Sequence, residues 1–477
     1  MKQLAVVLVL SLQAVSIFAE PLDIGSRREL FVDRFLIDSL ESIQFRLHEP
    51  VGQNTAISFD NSWEGRYCAY VTVFRDGDRI RLYYRGLPEA GKDGSAVEVT
   101  CYAESSDGIT FTKPNLGLYE VMGTRDNNVV LAAMPPFSHN FAPFLDTRPG
   151  TPEDQRYKAI AGTSETGLIP FASADGLHWQ KTQDTPVLAE GAFDSHNVAF
   201  WSEHEQLYLC YFRTWTETSF GGFRTVSRGT SPDFVHWTAP VKMEFGDTPM
   251  EHLYTNETAP YFRAPHLYVA IAARFMPDRT VISEEEARAL GVESNYWKDI
   301  SDNVLMTSRG GNHYDRTFME GFIRPGIGLE HWTSRTNYPA YGLVGTGEQE
   351  MSLYVQHAYG QPTAHLVRYA LRPDGFISLN APYSGGTMIT KPLIFTGSGL
   401  YLNFSTSAAG FIKVEIQDET GAPIPGFNET DAAEMIGNEL ERQVRWKNGT
   451  DLSSLAGKPV RLHFIMKDAD CYALQFK

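Results

Sequence analysis

Cysteine is scarce: the 477-residue chain has four, and Cys68, Cys101, Cys210 and Cys471 stand far apart in strand-like contexts. Such spacing argues against a disulfide scaffold and for small buried hydrophobes. Positive charge is short as well. Against 58 Asp and Glu there are 41 Lys and Arg, for a formal net charge of −17, and no basic stripe interrupts the balance. Phosphate binding needs clustered Lys and Arg, so nucleic acid and anionic membrane are poor partners. No short-range His/Asp spacing of a metal cage occurs, so neither a metal nor another cofactor is expected. The apolar run from Leu4 to Phe18 is short for a membrane span and lacks a basic stop-transfer flank.

Met1-Lys2-Gln3 puts one positive charge ahead of that run, and Ala19 ends it before Glu20 and Pro21. This is the pattern of a secretory signal peptide over residues 1–19, cleaved after Ala19. No Cys follows for lipid attachment. A secreted or periplasmic protein without membrane insertion after cleavage is expected, and the sequence leaves its oligomeric state open.

Aromatics make up 12 % of the chain and fall in short alternating runs, which suits packed sheets. A turn marker recurs at residues 105–111, 173–179 and 230–237, as in Ser173-Ala174-Asp175-Gly176-Leu177-His178-Trp179. Polar clusters recur ahead of apolar segments: Trp63 to Tyr70, Phe137 to Phe144, Gly191 to Trp201, Glu251 to Asn256 and Glu348 to Val355. Five openings with a period well above a solenoid's predict radial repetition, an all-β five-bladed β-propeller over residues 20–383. Ser283 and Glu286 are spaced as a capping box for a short helical insertion in the fourth blade. The isolated apolar segment Leu30 to Ile37 is expected to close the ring as the outer strand of the last blade. From about Tyr383 the markers stop. Short strands separated by Gly- and Pro-containing turns predict a small antiparallel β-sandwich over 384–477.

The first strand of each blade lines a propeller's channel, so the openings are expected to bring Glu64, His139, Asp194, Glu251 and Glu350 around one funnel. The markers themselves read as hairpin turns, with Gly supplying φ > 0.

The Asp-Gly-x-x-Trp markers, five repeats, acids at blade openings and C-terminal strands together resemble five-bladed propeller glycoside hydrolases of the family 32, 43 and 68 type. More narrowly, Glu29-Leu30-Phe31-Val32-Asp33 and Phe193-Asp194-Ser195-His196-Asn197 look like exported hydrolase-like proteins of planctomycete-type bacteria. The resemblance covers nearly the whole mature chain and implies action on a carbohydrate through carboxylates. The Asn-Asp-Pro-Asn, Arg-Asp-Pro and Glu-Cys motifs of family 32 are missing, so roles are assigned from the residues themselves.

Glycoside hydrolysis needs a proton donor and an anion that attacks or activates water, which two carboxyl groups supply. Asp194 is short, fixed near the backbone and flanked by Ser195, His196 and Asn197, which suits a nucleophile or base. Glu251, with longer reach and with His252 and Tyr254 beside it, suits the general acid. Glu64 completes the catalytic set by tuning the acid, and it and Glu350 are suited to orient substrate hydroxyls. His139 with Asn140, His196 with Asn197, and His252 with Tyr254 are candidate sugar contacts. Trp63, Trp201, Trp215 and Tyr254 are stacking candidates, though Trp residues in propellers mostly pack between blades. Arg85, Arg213 and Arg274 end the strands that follow the openings. They read first as interblade ion pairs, though an Arg facing the funnel would suit an acidic sugar. Two rival functions stand beside hydrolysis: a non-catalytic glycan-binding propeller, and a sugar lyase or epimerase-like enzyme with His139 or His196 as base.

Expression of the full chain in a secreting bacterial host is expected to yield a protein whose N-terminal residue, by peptide mass spectrometry, is Glu20. Recovery of the apolar run in the exported protein would overturn the cleavage assignment.

Overall fold

Antiparallel sheets of three to five strands follow one another along the chain in the computed structural model, which describes residues 20–218, 220–293 and 296–477. The expected signal segment 1–19 lies outside the described residues. The first sheet holds strands Ala69–Asp76, Arg79–Gly86, Val99–Ser105 and Val129–Leu131. The second holds Ala142–Leu145, Tyr157–Thr163, Gly167–Ser173 and Gln180–Lys181, and the third Val198–Ser202, Leu207–Trp215, Arg224–Ser231 and Val241–Lys242. The fourth has Thr258–Tyr261, Ala264–Met276 and Ile300–Ser308, and the fifth Tyr338–Pro339, Val344–Gly347, Glu350–His357, His365–Leu371 and Val51–Ser58. These are the five blades of a β-propeller, with the first strand of each nearest the axis.

Apolar layers sit between neighbouring blades. One joins Tyr354 and Ala340 of blade five to Val73 and Leu82 of blade one, and another joins Phe144 and Ile160 of blade two to Leu209's neighbours Tyr208 and Cys210 of blade three. At the axis the blades touch through backbone: Tyr341 N donates to Val71 O and Val73 N to Tyr341 O, each at 2.8 Å. Gly342 is required there, because a Cβ would lie 1.9 Å from the Val73 carbonyl oxygen. All four cysteines are buried. The turn markers act as turns. Ser105, Ser173 and Ser231 Oγ accept from the backbone N–H of Gly108, Gly176 and Phe234, each at 2.9 Å. The insertion helix Glu284–Ala289 carries the reciprocal Ser283/Glu286 capping box.

Ring closure corrects the sequence reading. The outer strand of blade five is Val51–Ser58, paired antiparallel with His365–Leu371, and not Leu30 to Ile37. The expected segment instead follows Arg28–Leu30, which pairs with Val460–Phe476, and leads into Ile37–Glu41, which pairs with Gly386–Thr390. The physical reason is exposure. Val51–Ser58 is exposed at most positions, with Ala56 and Ile57 its buried residues, so it needs few apolar residues and carries no strong strand signal.

The chain divides into two compact units: one comprises residues 30–33 and 45–379, the other 20–29, 34–44 and 380–477. The propeller is therefore not continuous over 20–383, since most of the N-terminal segment belongs with the C-terminal strands. In that second unit Leu400–Asp418 and Val460–Phe476 pair antiparallel along their length, with a bulge between Thr406 and Phe411. Leu22–Gly25 joins parallel to Leu393–Phe395. An apolar segment needs a sheet edge to pair with, and the C-terminal sheet offers one.

Ile57, buried on the closing strand, and Val51, 62 % exposed at its start, form a matched pair of probes. Ile57→Ala is expected to cost about 2–5 kcal/mol in chemical denaturation, with Val51→Ala near neutral. Equal, small effects would show that the closing strand does not carry the ring.

Candidate active site in the funnel

Blade three presents Asp194 from a turn that blade two holds in place. The buried Asn140 side chain donates to the carbonyls of Phe193, Gly162 at 2.9 Å and Ser195 at 3.0 Å, and its Oδ1 accepts from Gly162 N. Asn197 Nδ2 donates to the Phe193 carbonyl at 3.1 Å. Phe193 adopts φ +44°, a left-handed conformation that these bonds sustain. Asp194 is thereby pushed out of the turn, its side chain 53 % exposed and ion-paired with the buried Arg213. Tyr70 of blade one donates its hydroxyl to the Asp194 carbonyl at 3.1 Å. Asn140 and Asn197 are positioning residues of this turn.

Asp194 opens into a cavity of about 230 Å³ whose other walls include Tyr70, Arg85, Asp93, His139, Tyr254 and Arg335. On one wall the charges are matched. His139 Nδ1 lies 2.9 Å from Glu98 Oε1 and 3.2 Å from Arg85 Nη1, and Arg85 Nη1 is 3.7 Å from Glu98. Arg85 Nη2 donates to the Tyr359 hydroxyl at 3.1 Å and to the Tyr67 carbonyl at 2.9 Å. Asp93, Glu98 and His139 offer three ligand atoms within 4.8 Å of one another, spacing that a metal cation accepts. Arg85 already supplies positive charge to this group, however, and a dication there would face the guanidinium at contact range.

Around Tyr254 the balance is different. Three guanidiniums gather on the Tyr254 ring, with carbons 4.5 Å (Arg213), 5.5 Å (Arg224) and 6.0 Å (Arg335) from its centroid. Burial alone would push the Tyr254 phenol up, but Arg335 and Arg213 outweigh it and the net shift is below the ordinary tyrosine range. Tyr359, which also lines the cavity, is pushed up to about 12 by burial.

Beneath the funnel a buried chain crosses three blades at the axis. His196 Nδ1 meets Glu257 Oε2 at 2.9 Å, and its Nε2 meets Thr72 Oγ1 at 3.2 Å. With 0 % exposure and both ring nitrogens engaged, His196 is not a sugar contact or an accessible base.

Of the residues singled out in sequence, the structure brings Asp194, His139, Tyr254 and Arg85 to the cavity and places the rest elsewhere. Glu251 lines a separate cavity of about 410 Å³, bridged between Arg274 at 3.0 Å and Arg316 at 2.7 Å. Glu64 is fully buried, bonded to the Tyr84 hydroxyl at 2.5 Å and Lys113 at 2.7 Å. Glu350 begins the second strand of blade five, paired with Arg368 at 2.5 Å, whereas that strand runs on to His357 and the funnel residue Tyr359. Blade five begins at Tyr338, so Glu350 follows a turn at the far end. His252 Nδ1 accepts from Arg224 N at 3.1 Å, with its ring against Phe223. Trp63 is buried and donates to Asn128, and Trp201 packs on Tyr208. Asp93, Arg335 and Tyr359 carried no sequence signal, since each lies in a loop without a repeated motif. Arg85 and Arg213 did: each stands at the end of a second strand, where blade two carries the cavity residue Thr163.

No family model matches the sequence, and no curated protein sequence matches it. Among solved structures the chain is similar to one described as a glycoside hydrolase, at 12 % identity over 69 % of this chain and 93 % of that one, with a TM-score of 0.46. It is also similar to a fructofuranosidase from Schwanniomyces occidentalis complexed with fructosylnystose (12 % identity, 88 % and 96 % covered, TM-score 0.40). A third is an N-acetylgalactosamine deacetylase from F. plautii in complex with blood group B trisaccharide (13 % identity, 68 % and 94 % covered, TM-score 0.41). The class is a five-bladed β-propeller, set by the blades themselves, and its structural neighbours are glycoside hydrolases and related propeller enzymes.

A lowered phenol pKa means ionisation at lower pH than a free tyrosine. An ultraviolet pH titration is expected to show one phenolate step below the main tyrosine transition, and Tyr254→Phe is expected to remove it. Identical curves for the two proteins would refute the assignment.

Proposed function

We propose that the protein is an exported enzyme that hydrolyses glycosidic bonds of an oligo- or polysaccharide in the funnel, with Asp194 as nucleophile or base. The observation that carries this reading is the pair of carboxylates on the cavity wall, Asp194 and Asp93, the acids among its lining residues. Two carboxyl groups facing one cavity are the minimum equipment for the reaction. The general-acid role moves from Glu251 to Asp93, because Glu251 is held by two arginines in another cavity. A cavity of this size suits one sugar residue at a time. His139 and Tyr254 stand on the same surface to contact its hydroxyls.

One observation favours the non-catalytic rival: Asp194 is already ion-paired with Arg213, an arrangement that also suits passive hydrogen bonding to hydroxyls. The lyase or epimerase reading loses His196 and rests on His139 alone.

Digestion of a glycan library by the wild type, followed by Asp194→Asn and Asp93→Asn, tests the assignment. Each variant is expected to lower kcat/KM by about 10²-fold or more with unchanged melting. Retained turnover in either removes that residue from the mechanism, and binding without cleavage across the library would favour the binding module.

A further inference from the structure

The two walls of the funnel differ in charge balance, and the imbalance points at a ligand. On the first wall Arg85 is answered by Glu98 and His139. On the second, Arg213, Arg224 and Arg335 share one carboxylate, that of Asp194. Arg213 is 4 % exposed, and its Nε and Nη1 are buried without a hydrogen-bond partner among the described residues. Arg335 lines the cavity, yet it has no ion pair and no hydrogen bond among the described residues. Its guanidinium lies 4.9 Å from the Tyr296 ring centroid and 6.0 Å from that of Tyr254.

The backbone around Arg335 is built rather than loose. Arg335 itself has φ +58°, and its neighbours are tied on both sides. Ser334 N donates to Tyr296 O at 2.9 Å, Thr336 Oγ1 accepts from Tyr359 N at 3.2 Å, and Asn337 Nδ2 donates to Ser301 O at 3.0 Å. A strained, well-anchored residue that presents five unused N–H donors to a cavity is costly unless something accepts from them. In a chain of net charge −17, a local cationic surface also does not follow from the average composition.

Resting on the reading that the funnel is the glycan site, we propose that the sugar it takes is anionic, its carboxylate or sulfate ester received by Arg335 against the Arg213–Tyr254 wall. A planar guanidinium with free N–H groups pairs two oxygens of either anion at once, which a neutral hydroxyl cannot match. The aromatic rings of Tyr254 and Tyr296 keep Arg335 in place without neutralising it. The wall thus selects on charge, while Asp194 and Asp93 sit on the same cavity for bond cleavage.

The test is calorimetric binding of three length-matched oligosaccharides to the mature protein: an oligouronide, a sulfated neutral-sugar oligomer and an uncharged oligomer. At least one anionic ligand is expected to bind about tenfold or more tighter than the uncharged one. Which of the two does so identifies the anion. Arg335→Met is expected to abolish the difference and Arg335→Lys to keep part of it, with melting temperatures showing that each variant is folded. Equal or tighter binding of the uncharged oligomer by the wild type overturns the proposal without any variant. So does failure of both anionic ligands to bind, or an undiminished preference in folded Arg335→Met. Cleavage of uncharged glycans without charge preference would sink this proposal and leave the hydrolase reading standing. Tight anionic binding with no turnover would do the reverse.

Discussion

Each of the first three blades is hooked to its successor by a buried phenol. Tyr157 donates to Asp76 at 2.6 Å, Tyr208 to Asp146 at 2.6 Å and Tyr268 to Glu205 at 2.8 Å. In every case the acid ends or follows a blade's innermost strand and the tyrosine stands on the second strand of the next blade. A buried carboxylate needs a cation, and each has one: Arg81 for Asp76, Lys158 for Asp146 and Arg228 for Glu205. Burial and the Asp76 bond push the Tyr157 phenol up to about 12, so it remains a donor across the physiological range. Such buried pairs set register more than they add net stability. They fix the rotation of one blade on the next at the end away from the funnel.

That division of labour explains the other end. Because the blades are fixed from below, the turns above are free to carry groups that do not satisfy one another: the left-handed Phe193, the half-exposed Asp194, and Arg335, which has no ion pair among the described residues. The same position in successive blades is then open to different chemistry. Second strands end in Arg85, Thr163, Arg213 and Arg274, of which the first two line the cavity, the third backs Asp194, and the fourth serves a different pocket with Glu251 and Asp302.

The sequence made the blades readable because their turns repeat a chemistry that has one structural meaning, a Ser and an Asp closing a tight hairpin. It made Asp194 and His139 readable because a polar cluster ahead of an apolar strand marks an opening. The same rule misled for Glu350, where the cluster precedes a second strand, since only the assembled ring tells one end of a blade from the other. Glu64 and Glu251 failed for another reason: their partners Lys113 and Arg316 are 49 and 65 residues away, and a carboxylate's neutralisation by a distant cation leaves no local mark. Arg335 was invisible for the complementary reason, since its importance lies in what it lacks.

The pairing of Val51–Ser58 with His365–Leu371 joins nearly the first and last strands of the ring, with about three hundred residues between them. As the chain is made, the early strand therefore waits through four blades for its partner. Until the late strand emerges, the early one carries an open hydrogen-bonding edge, available to any other extended chain nearby. For a protein built this way, the vulnerable moment is not the finished fold but the interval before its two ends meet, and how long a partly emerged chain is kept from its neighbours becomes part of its biology.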